Sequence, residues 1–226
     1  MATYVLVHGA WGGGWVYRPI CDALREAGHT VFVAGLTGLG ERAHLLTPAI
    51  DLSTHIRDVV ATIDTEALDD IILCGHSYGG MVITGVATER AERIRGLVYI
   101  DAFLPGDGQA LWDIADDASR AFYIDAQREA PGLVAPPVPR GEGPRQLARH
   151  PLLTLLEPVR VSAEAAAIRN RTYIYATRDA PTVFTQFHAR VRADPAWKVH
   201  EIATGHVVMA DDHDGLLALL LAEAER

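Results

Sequence analysis

Short apolar runs rich in β-branched residues recur along this chain, and longer segments with helical spacing separate them. The runs lie at Tyr4–His8, Thr30–Ala34, Asp70–Cys74, Gly96–Ile100, Thr172–Ala176 and Lys198–Ile202. Their nearly continuous hydrophobicity predicts strands covered on both faces, as in a parallel sheet. Helical patterns follow at Trp15–Ala27, Leu52–Glu66, Tyr78–Ala91, Thr182–Ala193 and Gly215–Glu225. Gly28 supplies a stop for the first, and Ser53 and Thr54 are capping candidates for the second. Strand–helix alternation of this kind predicts an α/β fold with a mostly parallel, doubly wound sheet of about six strands.

One stretch breaks the rhythm. No clear strand is visible from Leu104 to Arg169, and Pro131–Pro144 is rich in proline and glycine. Long irregular stretches inside compact domains are lids, binding loops or linkers. The alternation resumes at Thr172 as though interrupted, so residues 104–169 are expected to form a cap inserted into a single domain spanning 1–226.

Composition narrows the function classes. The 226 residues carry a net charge of −9 and no Lys/Arg cluster, which argues against a nucleic-acid partner. The longest apolar run, Leu216–Ala222, is far below the ~18 residues a spanning helix needs, and the first residues lack a basic, signal-like start. Two cysteines, Cys21 and Cys74, are too few for a disulfide framework and read as buried free thiols. The expected location is therefore cytoplasmic.

Chemistry enters at Gly75-His76-Ser77-Tyr78-Gly79, between a predicted strand and a predicted helix. That is the context of a nucleophile elbow, where a strand turns so sharply into a helix that the serine is strained and its neighbours two away must be small. A serine needs a base, and in this motif class the order is serine, acid, histidine. Of the histidines well beyond Ser77, His206 directly follows the last predicted strand and so emerges at the same sheet edge. His200 lies within that strand, His188 within a helical pattern, and His213 within an acidic run that starts the last helix.

The acid has two candidates. Asp179 follows the strand Thr172–Ala176, and Asp101 ends the preceding strand. Asp179 is the favoured one, with Asp101 left open. Backbone N–H groups of Tyr78 and Ala10 are the expected oxyanion donors.

Rival chemistries lack their signatures. The glycine-rich loop after the first strand has no G-x-G-x-x-G, and the second strand ends at Ala34-Gly35 with no acid for a ribose. No Walker sequence is present. His206, Asp211, Asp212 and His213 lack a recognised metal-ligand spacing.

With these residues in place the chain resembles the α/β-hydrolase superfamily. More narrowly, it is similar to the branch holding methyl salicylate-type esterases, hydroxynitrile lyases and bacterial esterases. The likeness is carried by LVHGAW, Gly35–Leu45 (GLTGLGERAHL), Gly75–Val82 (GHSYGGMV), Tyr99–Pro105 (YIDAFLP) and the closing TGH. It implies Ser77 as nucleophile, His206 as base, Asp179 as acid and Ala10 and Tyr78 as oxyanion donors. The lyases of this branch use a threonine and a lysine where this chain has Gly9 and Val207, so ester hydrolysis is the expected activity.

The expectation is a serine carboxylesterase acting on small or aromatic esters through an acyl-enzyme, with no cofactor or metal. Trp11, Phe103, Leu104, Trp112, Phe122 and Tyr123 are candidate pocket walls. The partner is a small ester, with no nucleic acid or membrane, and a homodimer is the assembly considered. The alternatives are another reaction on the same scaffold (C–C or amide hydrolysis, or lyase chemistry) and a non-catalytic small-molecule binder.

Overall fold

The structure, a computed structural model, describes residues 1–138 and 147–225. The strands are β1 (Thr3–Val7), β2 (Thr30–Ala34), β3 (Ile71–His76), β4 (Ile94–Ile100), β5 (Leu133–Val134), β6 (His150–Pro151), β7 (Asn170–Ala176) and β8 (Trp197–Ile202). Six of them build one parallel sheet in the order β2-β1-β3-β4-β7-β8. The order reverses at β1, so crossovers lie on both faces.

That topology explains the unbroken hydrophobicity of the strands. In β1, Val5 and Val7 face one core, while Tyr4 and Leu6 face a second. Both sets are fully buried. Neither face of β1 from Tyr4 to Val7 is left for a polar residue.

The helices are α1 (Arg18–Glu26), α2 (Leu52–Thr65), α3 (Gly79–Arg90), α4 (Leu111–Ile114), α5 (Asp117–Ala126), α6 (Leu153–Leu156), α7 (Ala163–Ala166), α8 (Thr185–Arg192), α9 (Val208–Asp211) and α10 (His213–Ala224). Residues of α2, α3 and α8 share the core of Val5 and Val7, and those of α1 and α10 share the other. Two boundaries differ from expectation. The first helical segment opens as a 3₁₀ turn, Gly14–Tyr17, before Pro19 at the start of α1 sets the α-helix. The N-cap of α2 is Asp51, whose carboxylate accepts from the Thr54 N–H at 2.8 Å; Ser53 donates instead to Glu157.

Between β4 and β7 the chain makes the short helices α4 to α7 and the antiparallel pair Leu133–Val134 with His150–Pro151. Two-residue strands are too short to leave a period in the sequence. Part of the proline- and glycine-rich stretch, residues 139–144, lies outside the described residues. Among the described residues no helix is long and apolar enough to cross a membrane.

Candidate active site

The strand β3 ends at His76, and α3 begins at Gly79. Ser77 sits between them with φ at +55°, a left-handed conformation costly for a residue with a Cβ. The turn is possible because its flanks are bare. A Cβ on Gly75 would lie 2.6 Å from the Gly79 carbonyl oxygen, and one on Gly79 would lie 2.7 Å from that of Val7. Ser77 is further tied by its own N–H to the Ile100 carbonyl and by its carbonyl to the Phe103 N–H, at 3.3 and 3.1 Å.

Ser77 Oγ is 2.9 Å from His206 Nε2, and His206 Nδ1 is 2.7 Å from Asp101 Oδ2. The expectation for the acid is corrected here. Asp101 occupies the position beside the imidazole, and Asp179 does not. Asp179 is exposed and its carboxylate meets Arg178 at 3.5 Å, within a surface group in which Arg178 also pairs with Asp211.

The reason is strand register. Ile100 at the end of β4 pairs with Ile174, and β4 runs beside β3, so Asp101 is placed at the sheet edge next to the elbow. Asp179 lies three residues beyond the end of β7, which carries it past the sheet edge into solvent.

Asp101 is only 1% exposed, and its charge is met on both oxygens. One accepts from His206, and the other from the Ala176 N–H at 3.2 Å. Its own φ of +40° aims it there, held by its N–H on the Ile174 carbonyl at 2.7 Å. An acidic residue wedged between Ile100 and Ala102 is the sequence signal for it, because a carboxylate inside an apolar run must be paired once buried.

The imidazole of His206 is packed between two rings. Phe184 stacks on it at 4.8 Å and 9°, and His76 lies at 4.6 Å. His76 Nε2 donates to the His206 carbonyl at 2.8 Å. Burial, helped by the neighbouring His206, pushes the pKa of His76 down to about 3, so this ring is neutral. Sequence reasoning missed both partners, since His76, although next to Ser77, and Phe184 reach His206 only through the fold.

Of the candidate pocket walls, Phe103, Leu104 and Tyr123 are core residues, Phe103 packing on Phe184 and Phe187. Trp112 and Phe122 are half-buried against the same core. Trp11 is fastened to the segment 104–169 by every polar group it has. Its N–H donates to His150 Nδ1 at 3.4 Å, its carbonyl accepts from the Ala148 N–H at 2.9 Å, and its indole donates to the Val134 carbonyl at 3.0 Å. With φ at +61°, Trp11 is a strained position stabilised by those bonds, directly after Ala10.

Beneath lies a buried, neutral histidine pair. His55 donates from Nε2 to the Thr37 carbonyl and accepts on Nδ1 from Tyr78 Oη, both at 2.9 Å. His150 donates from Nε2 to Thr154 Oγ1 while accepting from Trp11. Burial holds the pKa of His55 down at about 4 and that of His150 well below the usual value. A lowered folded pKa means the unfolded chain takes the proton first. Stability is therefore intact above the unfolded value of about 6.5 and declines as pH falls toward 4. Denaturant unfolding from pH 7 to pH 4.5 should show this decline. His55→Gln should flatten the slope by up to one proton, about 1.4 kcal/mol per pH unit. An unchanged slope would show that His55 does not contribute.

Among the described residues no His/Cys/Asp/Glu group is arranged to hold a metal. Asp211 accepts from the Gly205 N–H at 2.8 Å, and Asp212 caps α10.

The comparisons with known proteins agree with this fold. A carbendazim-hydrolysing esterase of Nocardioides sp. (strain SG-4G) is 40% identical over 98% of this chain and 99% of its own. Tobacco (Nicotiana tabacum) salicylic acid-binding protein 2 is 33% identical over 45% of this chain and 40% of its own. The fold matches that of an extracellular α/β-hydrolase from a Paenibacillus species, described as sharing homology with the tobacco protein. The TM-score is 0.84 at 23% identity, covering 99% of each chain. The model of the alpha/beta hydrolase family matches residues 4–219, and with a full-length relative at 40% identity the chain belongs to that family.

Proposed function

We propose that the chain is a carboxylic-ester hydrolase for small or aromatic esters, working through an acyl-enzyme on Ser77. The observation that carries the reading is the continuous relay from Ser77 Oγ through His206 to Asp101, at 2.9 and 2.7 Å. With Nδ1–H donated to Asp101, His206 presents its Nε2 lone pair to the serine hydroxyl. Nε2 takes that proton as Oγ attacks the ester carbonyl. The amides of Ala10 and Tyr78, neither of which has an acceptor among the described residues, hold the oxyanion. His206 then protonates the leaving alcohol, and a water deprotonated by the same ring releases the acid. No step calls for a cofactor.

The segment 104–169 serves as the cap of one domain, with Trp11, Trp112 and Phe122 as walls facing the substrate. Its bonds to Trp11 make it part of the oxyanion loop's support. Lyase chemistry fits less well. A Cβ at Gly9 would come within 2.9 Å of Ser77 Cβ, so a larger residue has no room there, and Val207 offers no cation. The two buried free thiols support a reducing, cytoplasmic setting.

The test is a panel of methyl, aryl and longer-chain esters, with carbendazim included because the 40% identical relative hydrolyses it. Hydrolysis of at least one ester, together with stoichiometric phosphonate labelling of Ser77, is the expected result. Activity without labelling would exclude the serine as nucleophile.

A further inference from the structure

A cavity of about 230 Å³ opens between α3, α7 and α8, and none of Ser77, His206 or Asp101 lines it. It lies somewhat below the usual ligand-site range of roughly 300–1,000 Å³, which limits an occupant to about one ring. Ala87, Leu97, Val161 and Ala165 contribute apolar surface to its lining. Two arginines, Arg171 and Arg190, line it as well.

Neither arginine has a carboxylate partner among the described residues. Arg171 lies over the Trp197 ring at 5.0 Å, which occupies its flat face, and its Nε is buried with no hydrogen-bond partner. Arg190 donates to the Leu104 carbonyl and lies 5.5 Å from the Phe187 ring. Stacking leaves the edge donors of a guanidinium free, and a buried donor left unpaired is costly. Tyr99 lines the same cavity as both arginines.

The other polar groups of the cavity are already occupied. Thr84 donates to the Gly80 carbonyl, so Tyr99 spends its own hydroxyl proton on Thr84. Asp194, the acid of the lining, is exposed at the rim and caps the Ala196 N–H at 2.9 Å. An anion entering here would meet two arginines against one exposed carboxylate, that of Asp194, with apolar side chains lining the rest.

We propose that this cavity is a binding site, separate from the serine centre, for a small organic carboxylate with an apolar or aromatic body. The carboxylate lies between Arg171 and Arg190, and the body fills the space against Ala87, Leu97 and Ala165. Charge complementarity selects the anion, and the apolar depth selects an organic acid over inorganic phosphate.

Benzoate is the probe, read by calorimetry and by the fluorescence of Trp197, with Trp197→Phe locating the optical signal. Saturable binding is expected in the wild type and, unchanged, in Ser77→Ala. Arg171→Gln and Arg190→Gln should each weaken it by about 10-fold or more, the usual scale for a charged hydrogen bond. Benzyl alcohol and inorganic phosphate should bind at least tenfold more weakly than benzoate. If the glutamine variants do not fold, Ala166→Trp takes their place, because Ala166 is an exposed residue at the cavity and a large side chain there should block entry. Unchanged benzoate affinity in the folded variants overturns the proposal. So does binding abolished by Ser77→Ala, or phosphate binding as tightly as benzoate. The result for Ser77→Ala keeps this test independent of the esterase reading.

Discussion

Ser77→Ala is expected to reduce kcat for ester hydrolysis by roughly 10⁵–10⁶-fold, the scale seen when a triad nucleophile is removed. The remaining activity comes from binding and the oxyanion donors, which the substitution leaves in place. Ser77 is 8% exposed and carries a small side chain, so the loss of one oxygen should leave the fold intact. Alanine also relieves none of the strain at φ +55°, since it too has a Cβ. The measurement is steady-state hydrolysis of a p-nitrophenyl ester beside a thermal unfolding curve. A drop of less than tenfold with a native unfolding curve would remove Ser77 from the mechanism.

The second large effect separates the two acids. Asp101→Asn should lower kcat by about 10⁴-fold, as expected when the base is held in the wrong tautomer. The geometry gives the reason. Asp101 accepts two hydrogen bonds, on Oδ1 from Ala176 N–H and on Oδ2 from His206 Nδ1–H, whereas an asparagine has only one oxygen. If that oxygen serves Ala176, its NH₂ faces Nδ1, which must then carry the lone pair. The proton moves to Nε2, and the base toward Ser77 is lost. If it serves His206, a buried donor is left facing a donor, at a cost of about 1–3 kcal/mol in stability.

Asp179→Asn should change kcat by no more than a few-fold, because its carboxylate is exposed and, among the described residues, pairs only with the Arg178 guanidinium. The same ester assay decides. A large loss in Asp179→Asn with near-native activity in Asp101→Asn would return the role to Asp179.

The fold was legible because each strand lies between two cores. Continuous burial of β1, β3 and β4 leaves apolar runs that no exposed loop would sustain. The elbow was legible for a related reason. The turn around Ser77 tolerates no bulk at residues 75 and 79, so the demand is written in glycines adjacent in sequence. His206 could be placed from its position after β8 alone.

The irregular segment 104–169 was legible only as an interruption. Its helices α4, α6 and α7 are each four residues long, and its strands two, so none spans enough positions to show a period. Their order comes from contacts such as those of Trp11 with Val134, Ala148 and His150, over more than 120 residues of separation.

Residue order therefore sets the strands and helices of the main sheet layer, the elbow that holds Ser77 and which histidine follows the last strand, because these demands are local or periodic. The placing of Asp101 rather than Asp179 beside His206, the packing of Phe184 and His76 against that ring, and the meeting of Arg171 and Arg190 at one cavity belong to the tertiary structure. Each depends on which strand ends lie side by side and how far past the edge a side chain reaches. A displacement of three residues beyond β7 separates a buried acid from an exposed one, and only the assembled sheet measures it.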